Sequence, residues 1–509
     1  MSIKRILCSK ADLKANLLPI LRSDFELESN YSDLVYTEAL EKLGHIQNLI
    51  DTTWVLIESP YTDKVYRDSY YTYFSSKLGY YNKDCIRLSF FNGEIVTDHF
   101  TNEKSYAELQ ARYLGFMILR PTDPKIVGRS AISPKAVKGN NFLCVTAPIK
   151  ATANSLKFSV NAFPHSSQDT ETITCAETTL WAIMEYFGNK YPEYKPVLPS
   201  QIINALRRVS SERQVPSKGL NIQQMAFALK EFGFGTKVYA LNEFGQDEFN
   251  RLFSTYVESG IPLIVAMENR RYKGNIAHAL LCIGHERLAA SDIDSLSETK
   301  ESNPGVQDQI KKQKVRLFDN DDVNKRFVFI DDNLPAYQLN KLSSPAAHYP
   351  ETSWHNCEIS YFIAPLYPKI YLEAFEAKNL FKKILLDFFL VNDEEIFIRF
   401  FLTSSRSFKH SLSLDPSFDP VIKEMILATP MPKFLWIGEI STKALVKQQK
   451  ANGLVIIDAT EANLQTLKAL IMAAFKGNYL AYDHSSNCLV QNSLPLRDFN
   501  IFTNNLNGF

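Results

Sequence analysis

Cys175, Gln168 and His278 are residues of this chain whose types and spacing could do covalent chemistry. Gln168 stands 7 positions before Cys175, His278 lies 103 after it, and the pair Asp331–Asp332 begins 53 beyond His278. A cysteine nucleophile needs a base to take its proton and hold the thiolate as an ion pair, and the base needs an acceptor to orient it. Thr174 followed by Glu177 fits an S/T-x-x-E capping box, which places Cys175 in the first turn of a helix. Free backbone N–H groups and the positive end of the helix dipole favour an anion there, so a thiolate is stabilised. The plainer reading of Cys175 is a buried cysteine acting as a small hydrophobe.

The elements that must position these groups are legible around them. After Cys175, Leu180, Ile183, Met184 and Phe187 recur at helical spacing, so one face of the helix is buried. His278 sits between two alanines in a strand expected over 276–284. A further strand, expected over 326–331, runs into Asp331, Asp332 and Asn333. On strand alternation the two aspartates point to opposite faces, so only one can meet an inward-facing histidine. Asp331 is favoured because it shares a face with Phe327 and Phe329. That carboxylate would accept from one ring nitrogen and leave the other for the sulfur. Gln168 could offer a side-chain N–H, beside the backbone N–H of Cys175, to an oxyanion formed when the sulfur attacks a carbonyl. His285 and Glu286 are nearby competitors, expected at an exposed strand end. His165 could line a cleft, although a loop histidine without a role is the simpler reading.

In this order, glutamine, cysteine on a helix, histidine on a strand, aspartate on a strand, the chain resembles the papain-like cysteine peptidases. It is closest in style to the bacterial C39-like peptidases. GLNIQQMAFALKEFGFGTKVY at 219–239 resembles the helix and strand after their nucleophile helix. PLIV at 262–265 with AHALLCIGHE at 277–286 resembles their histidine hairpin, and FVFIDDN at 327–333 their aspartate strand. The resemblance covers about residues 160–340. It implies a thiol peptidase or isopeptidase acting on a protein or peptide through an acyl-enzyme. Cys175 would be nucleophile, His278 general base and acid, Asp331 or Asp332 orienter, and Gln168 oxyanion donor; no cofactor and no metal are implied. The same triad logic serves transglutaminase-like acyltransferases, and a degenerate papain-like domain could act as a binding module.

Composition narrows the class. At 509 residues several domains are expected, and 45% hydrophobic with 22% charged residues is ordinary globular usage. With 56 basic and 56 acidic residues, nothing suggests a general affinity for nucleic acid or an acidic membrane. Seven scattered cysteines without a CxxC pair fit reduced thiols in a cytoplasm better than a disulfide framework or a zinc site. The N-terminal apolar run is too short for a signal peptide, and no run reaches membrane-spanning length.

The fold class expected is α+β: a papain-like domain over 151–365, helices first and antiparallel sheet after, between mixed α/β lobes at 1–150 and 366–509. Residues 288–325, rich in Ser, Asp, Glu, Lys and Gln and poor in aromatics, read as an exposed and disordered insertion. A helix is expected at about 462–475. Arg120 and Arg129 could bind a ligand, but structural pairing is the better expectation.

Overall fold

The structure, a computed structural model, describes residues 3–79, 81–123, 125–462 and 467–509. It is a mixed α+β fold built on three sheets of seven strands each. The first sheet runs, in spatial order, Lys4–Ser9, Thr53–Tyr61, Cys85–Asn92, Tyr113–Leu119, Val127–Ile132, Leu156–His165 and Ala147–Ala153. The division expected at 150 falls inside its edge strand Ala147–Ala153. That strand pairs with Leu156–His165, whose end leads directly to Gln168. The hairpin 147–165 therefore belongs to the first sheet, and the glutamine is delivered from its last residue onward.

The central sheet follows the order Gln338–Asn340, Phe327–Ile330, Ala277–Glu286, Leu263–Asn269, Cys357–Leu366 and Gly235–Ala240, all antiparallel. Phe142–Cys144 adds to the far end of the histidine-bearing strand. That pairing depends on Gly284, where a Cβ would lie 1.9 Å from the Leu143 carbonyl oxygen. Both faces of this sheet are covered. The helix Cys175–Lys190 packs on one face, with Leu180, Trp181, Ile183 and Phe187 joining Leu281, Ile283 and Ile330. The helix Leu241–Glu258 covers the other through Phe249, Leu252 and Phe253, which meet Leu280 and Phe329. Cover on both sides explains why the strand from His278 to His285 is buried throughout and reads as a continuous apolar run rather than an alternation. Fully burying side chains such as Leu180 and Ile183 stabilises by about 1.5–3 kcal/mol each, which holds the first turn of the cysteine helix against the sheet.

The third sheet joins Arg316–Asp319, Glu395–Ser404, Phe434–Ser441, Gly453–Asp458, Leu470–Phe475, Asn478–Asp483 and Cys488–Ser493, its first pair parallel. One expectation changes here. Residues 463–466 of the expected helix lie outside the described residues, and Leu470–Phe475 is a strand paired with Gly453–Asp458. Its Leu, Met and Ala favour helix, but pairing within a buried sheet overrides propensity.

The polar insertion is ordered as well. It forms helices Ala290–Asp294 and Pro304–Gln313 and donates Arg316–Asp319 to the third sheet. Several of its charges are buried partners: Lys378 lies 2.7 Å from both Asp319 and Asp321, Lys382 2.5 Å from Glu301, and Arg251 2.6 Å from Asp322. A charge-rich segment looks solvated until its counter-charges Lys378 and Lys382 on the helix Ala374–Phe388, 57 residues from Asp321 and 81 from Glu301, are counted. Among the described residues no helix is long and apolar enough to cross a membrane.

Candidate active site

The loop 166–174 between the first sheet and the cysteine helix is built by its own polar groups. The Asp169 carboxylate accepts from the N–H groups of Glu171, Thr172 and Ile173 at 2.9, 2.6 and 3.0 Å. Buried Arg120 donates to the Ser167 carbonyl at 2.6 Å, so it fixes the loop rather than a ligand. Arg129 likewise spends its guanidinium on buried Glu185, 3.0 Å away on the cysteine helix. Glu177 accepts from both the N–H and the hydroxyl of Thr174, at 3.2 and 2.6 Å, and from Ser217 at 2.5 Å. The helix therefore starts where the sequence indicates, with Cys175 as its first residue and only half-buried.

His278 and Asp331 meet as expected. His278 Nε2 lies 2.9 Å from Asp331 Oδ1, and both side chains are buried. Cys175, after Asp331, helps to hold this imidazole in its charged form. With Nε2 engaged by Asp331, Nδ1 is the ring nitrogen left for sulfur. The cysteine helix is tied to the histidine strand directly beside the pair, where the Thr179 hydroxyl donates to the Ala279 carbonyl at 3.3 Å.

The choice between the two aspartates is decided differently from strand alternation. The strand ends at Ile330, so both residues lie in the turn beyond it and both reach His278. Asp332 Oδ1 is 3.6 Å from Nε2, against 2.9 Å for Asp331. Asp331 is also the better held. Its Oδ1 accepts from the Asn333 N–H at 3.0 Å and its Oδ2 from the Tyr349 hydroxyl at 2.8 Å, while neither oxygen of Asp332 has a hydrogen-bond partner. His165 is not idle either: its Nε2 lies 3.1 Å from the Asp331 carbonyl and 2.9 Å from that of Leu334, pinning the turn.

The electrostatics follow from these contacts. Burial alone would lower the His278 value, but the Asp331 charge and hydrogen bond, then Cys175 and Asp332, outweigh it and hold the imidazole well above its ordinary value. Burial pushes Asp331 up, but His278 outweighs it and keeps the carboxyl well below the carboxylate range. Asp332 is raised to about 7, first by burial and, against the pull of His278, by the Asp331 charge.

Gln168 sits at the rim of this group, half-buried, and its Nε2 donates to Asn333 Oδ1 at 2.8 Å. One of its two amide hydrogens is thereby committed to the aspartate turn. Asn333 in turn donates to the Tyr349 hydroxyl at 3.2 Å. Trp354 stands edge-on to His278 at 5.4 Å between ring centroids and stacks on Tyr349 at 3.9 Å, shielding the His278–Asp331 bond. Tyr349 and Trp354 escaped the sequence reading. They come from a loop and short helix between strands, and no spacing relates them to 278 or 331. His285 is buried rather than exposed, but turned to other work, 2.9 Å from Glu258; Glu286 pairs with Arg326. His278, Asp331 and Asp332 also offer three ligand atoms within 4.8 Å of one another, a set that could hold a metal ion.

No protein-family model and no curated protein matches this chain.

Proposed function

We propose that this protein is a papain-like cysteine hydrolase that cleaves a peptide or isopeptide bond through Cys175, His278 and Asp331. The observation that carries the reading is the buried His278–Asp331 pair at 2.9 Å, beside which Thr179 of the cysteine helix is hydrogen-bonded to Ala279 of the histidine strand. In this reading the Cys175 proton passes to Nδ1, giving a thiolate beside an imidazolium whose charge Asp331 balances. The sulfur attacks the carbonyl carbon, a C–S bond forms, and the carbonyl electrons move onto oxygen. The second amide hydrogen of Gln168 and the Cys175 backbone N–H, which a helix start leaves without an intrahelical acceptor, are the donors offered to that oxyanion. Nδ1–H then protonates the leaving amine as the C–N bond breaks, leaving a thioester. A water that gives its proton to Nδ1 attacks the thioester and frees the acid and Cys175. Asp332 does not take part in these steps.

Mapping of new protein N-termini in cells carrying the wild type or Cys175→Ala tests the reading. Termini that depend on Cys175 are expected, and identical maps would refute it.

A further inference from the structure

We infer that His278 Nε2 and the carboxylates of Asp331 and Asp332 form a binding site for a divalent transition-metal ion of the zinc type. Asp332 is the starting point. Its side chain is 3% exposed, neither oxygen has a hydrogen-bond partner, and its ion-pair neighbour is His278 at 3.6 Å. A buried carboxylate without partners is costly, and such a group calls for a proton or a cation. Asp331, at 0% side-chain exposure, brings a second carboxylate to the same imidazole.

The distances suit an ion. Ligand atoms around zinc, bonded at about 2.0–2.2 Å, lie up to about 4 Å apart. The separations of 2.9 and 3.6 Å from Nε2 already meet this, and the whole trio lies within 4.8 Å, so a small inward movement closes it. One imidazole with two carboxylates selects a borderline ion such as Zn²⁺ over Mg²⁺, which prefers oxygen and retains its waters. Tyr349 and Asn333, which donate to Asp331, orient it as outer partners of a ligand commonly do.

Binding has a chemical consequence that rests on the function proposed above. Starting from the neutral imidazole and the Cys175 thiol, the ion takes the place of the Nε2 proton, which leaves to solvent, Nδ1 takes up a proton from solvent, and the sulfur keeps its own. Nδ1–H cannot accept from Cys175, so the metal converts the base into a donor and silences the nucleophile. The site is thus an off-state of the same histidine.

Calorimetric titration of the full chain carrying Cys488→Ser, stripped with EDTA, tests the site itself. That background removes the exposed cysteine. One Zn²⁺ per chain is expected, with Mg²⁺ giving no heat. Asp332→Asn should weaken zinc by roughly tenfold or more, and Cys175→Ala should keep it. Circular dichroism and a thermal melt establish that each variant folds, and zinc should raise the melting temperature of the parent but not of Asp332→Asn. No zinc binding, unchanged binding in Asp332→Asn, or loss in Cys175→Ala would each overturn the inference. Because Cys175→Ala must bind zinc whether or not Cys175 is a nucleophile, failure of the metal site and failure of the hydrolase reading remain separate. Alkylation of Cys175 by iodoacetamide, slowed by Zn²⁺ and restored by EDTA, reads the silencing.

Discussion

Asp331→Asn is the sharpest perturbation of the proposed relay. The substitution keeps the shape of the side chain, removes the charge that balances His278 at 2.9 Å, and turns one of the two accepting oxygens into a donor. A hydrogen bond to a charged group contributes about 1.5–3 kcal/mol. At about 1.4 kcal/mol per factor of ten, loss of that stabilisation should cut the thiolate–imidazolium population roughly 10- to 150-fold. The rate of Cys175 alkylation by iodoacetamide at neutral pH reads this directly and needs no knowledge of the substrate. Peptide mass spectrometry in EDTA separates the sites. Five of the other cysteines are buried and Cys488 is exposed, so Cys488 serves as a reference thiol in the same sample. In the wild type Cys175, though less exposed, should react faster than Cys488. In Asp331→Asn it should fall by one to two orders of magnitude while Cys488 is unchanged. Asp332→Asn, which removes the carboxylate at 3.6 Å, should lower the Cys175 rate less than Asp331→Asn does, because Asp332 makes no hydrogen bond to His278. Equal Cys175 rates in wild type and Asp331→Asn, or a larger fall in Asp332→Asn, would refute the assignment of Asp331 as the orienting carboxylate.

Other outcomes follow from the same contacts. Gln168→Ala should lower hydrolysis roughly 10²–10³-fold while leaving alkylation within about twofold, because only acyl transfer builds an oxyanion; parallel losses in both assays would remove Gln168 from that role. Tyr349→Phe deletes a 2.8 Å donor to Asp331 and should slow alkylation, but add little once Asp331→Asn is present; a double-mutant cycle measures the coupling, and strict additivity would count against it. Lys378→Met strands Asp319 and Asp321 in the interior and should cost about 3–5 kcal/mol in urea unfolding at pH 7, with 288–325 cleaved first by added protease. Burial raises Asp319, but Lys378 outweighs it and leaves its value lowered, so its stabilisation is present above the unfolded carboxylate value of about 3.9 and is lost as pH falls through the folded one. The gap between Lys378→Met and wild type should therefore narrow below about pH 4, and a gap that widens there would contradict the pairing.

Much of the site was legible in the sequence because its signals are local. A capping box and an apolar stripe put Cys175 at a helix start, and the structure has the helix begin at that residue. The run around His278 and the apolar strand before Asp331 likewise come out as neighbouring strands, paired Leu281 to Ile330. What failed were inferences that assumed an element's end or its surroundings. Strand alternation separated Asp331 from Asp332 only on the assumption that the strand continued past Ile330. The polarity of 288–325 indicated disorder only while Lys378 and Lys382 were out of view.

Residue order and periodicity thus determined which groups ride on which helix or strand, because helical and strand spacing act over a few residues. Tertiary structure alone decided that Asp331 rather than Asp332 is hydrogen-bonded to His278, and that Trp354 and Tyr349 cover the pair. It also decided that Gln168 is bonded to Asn333. Gln168 and Asn333 lie 165 positions apart, and packing of the first sheet's end against the aspartate turn brings them together.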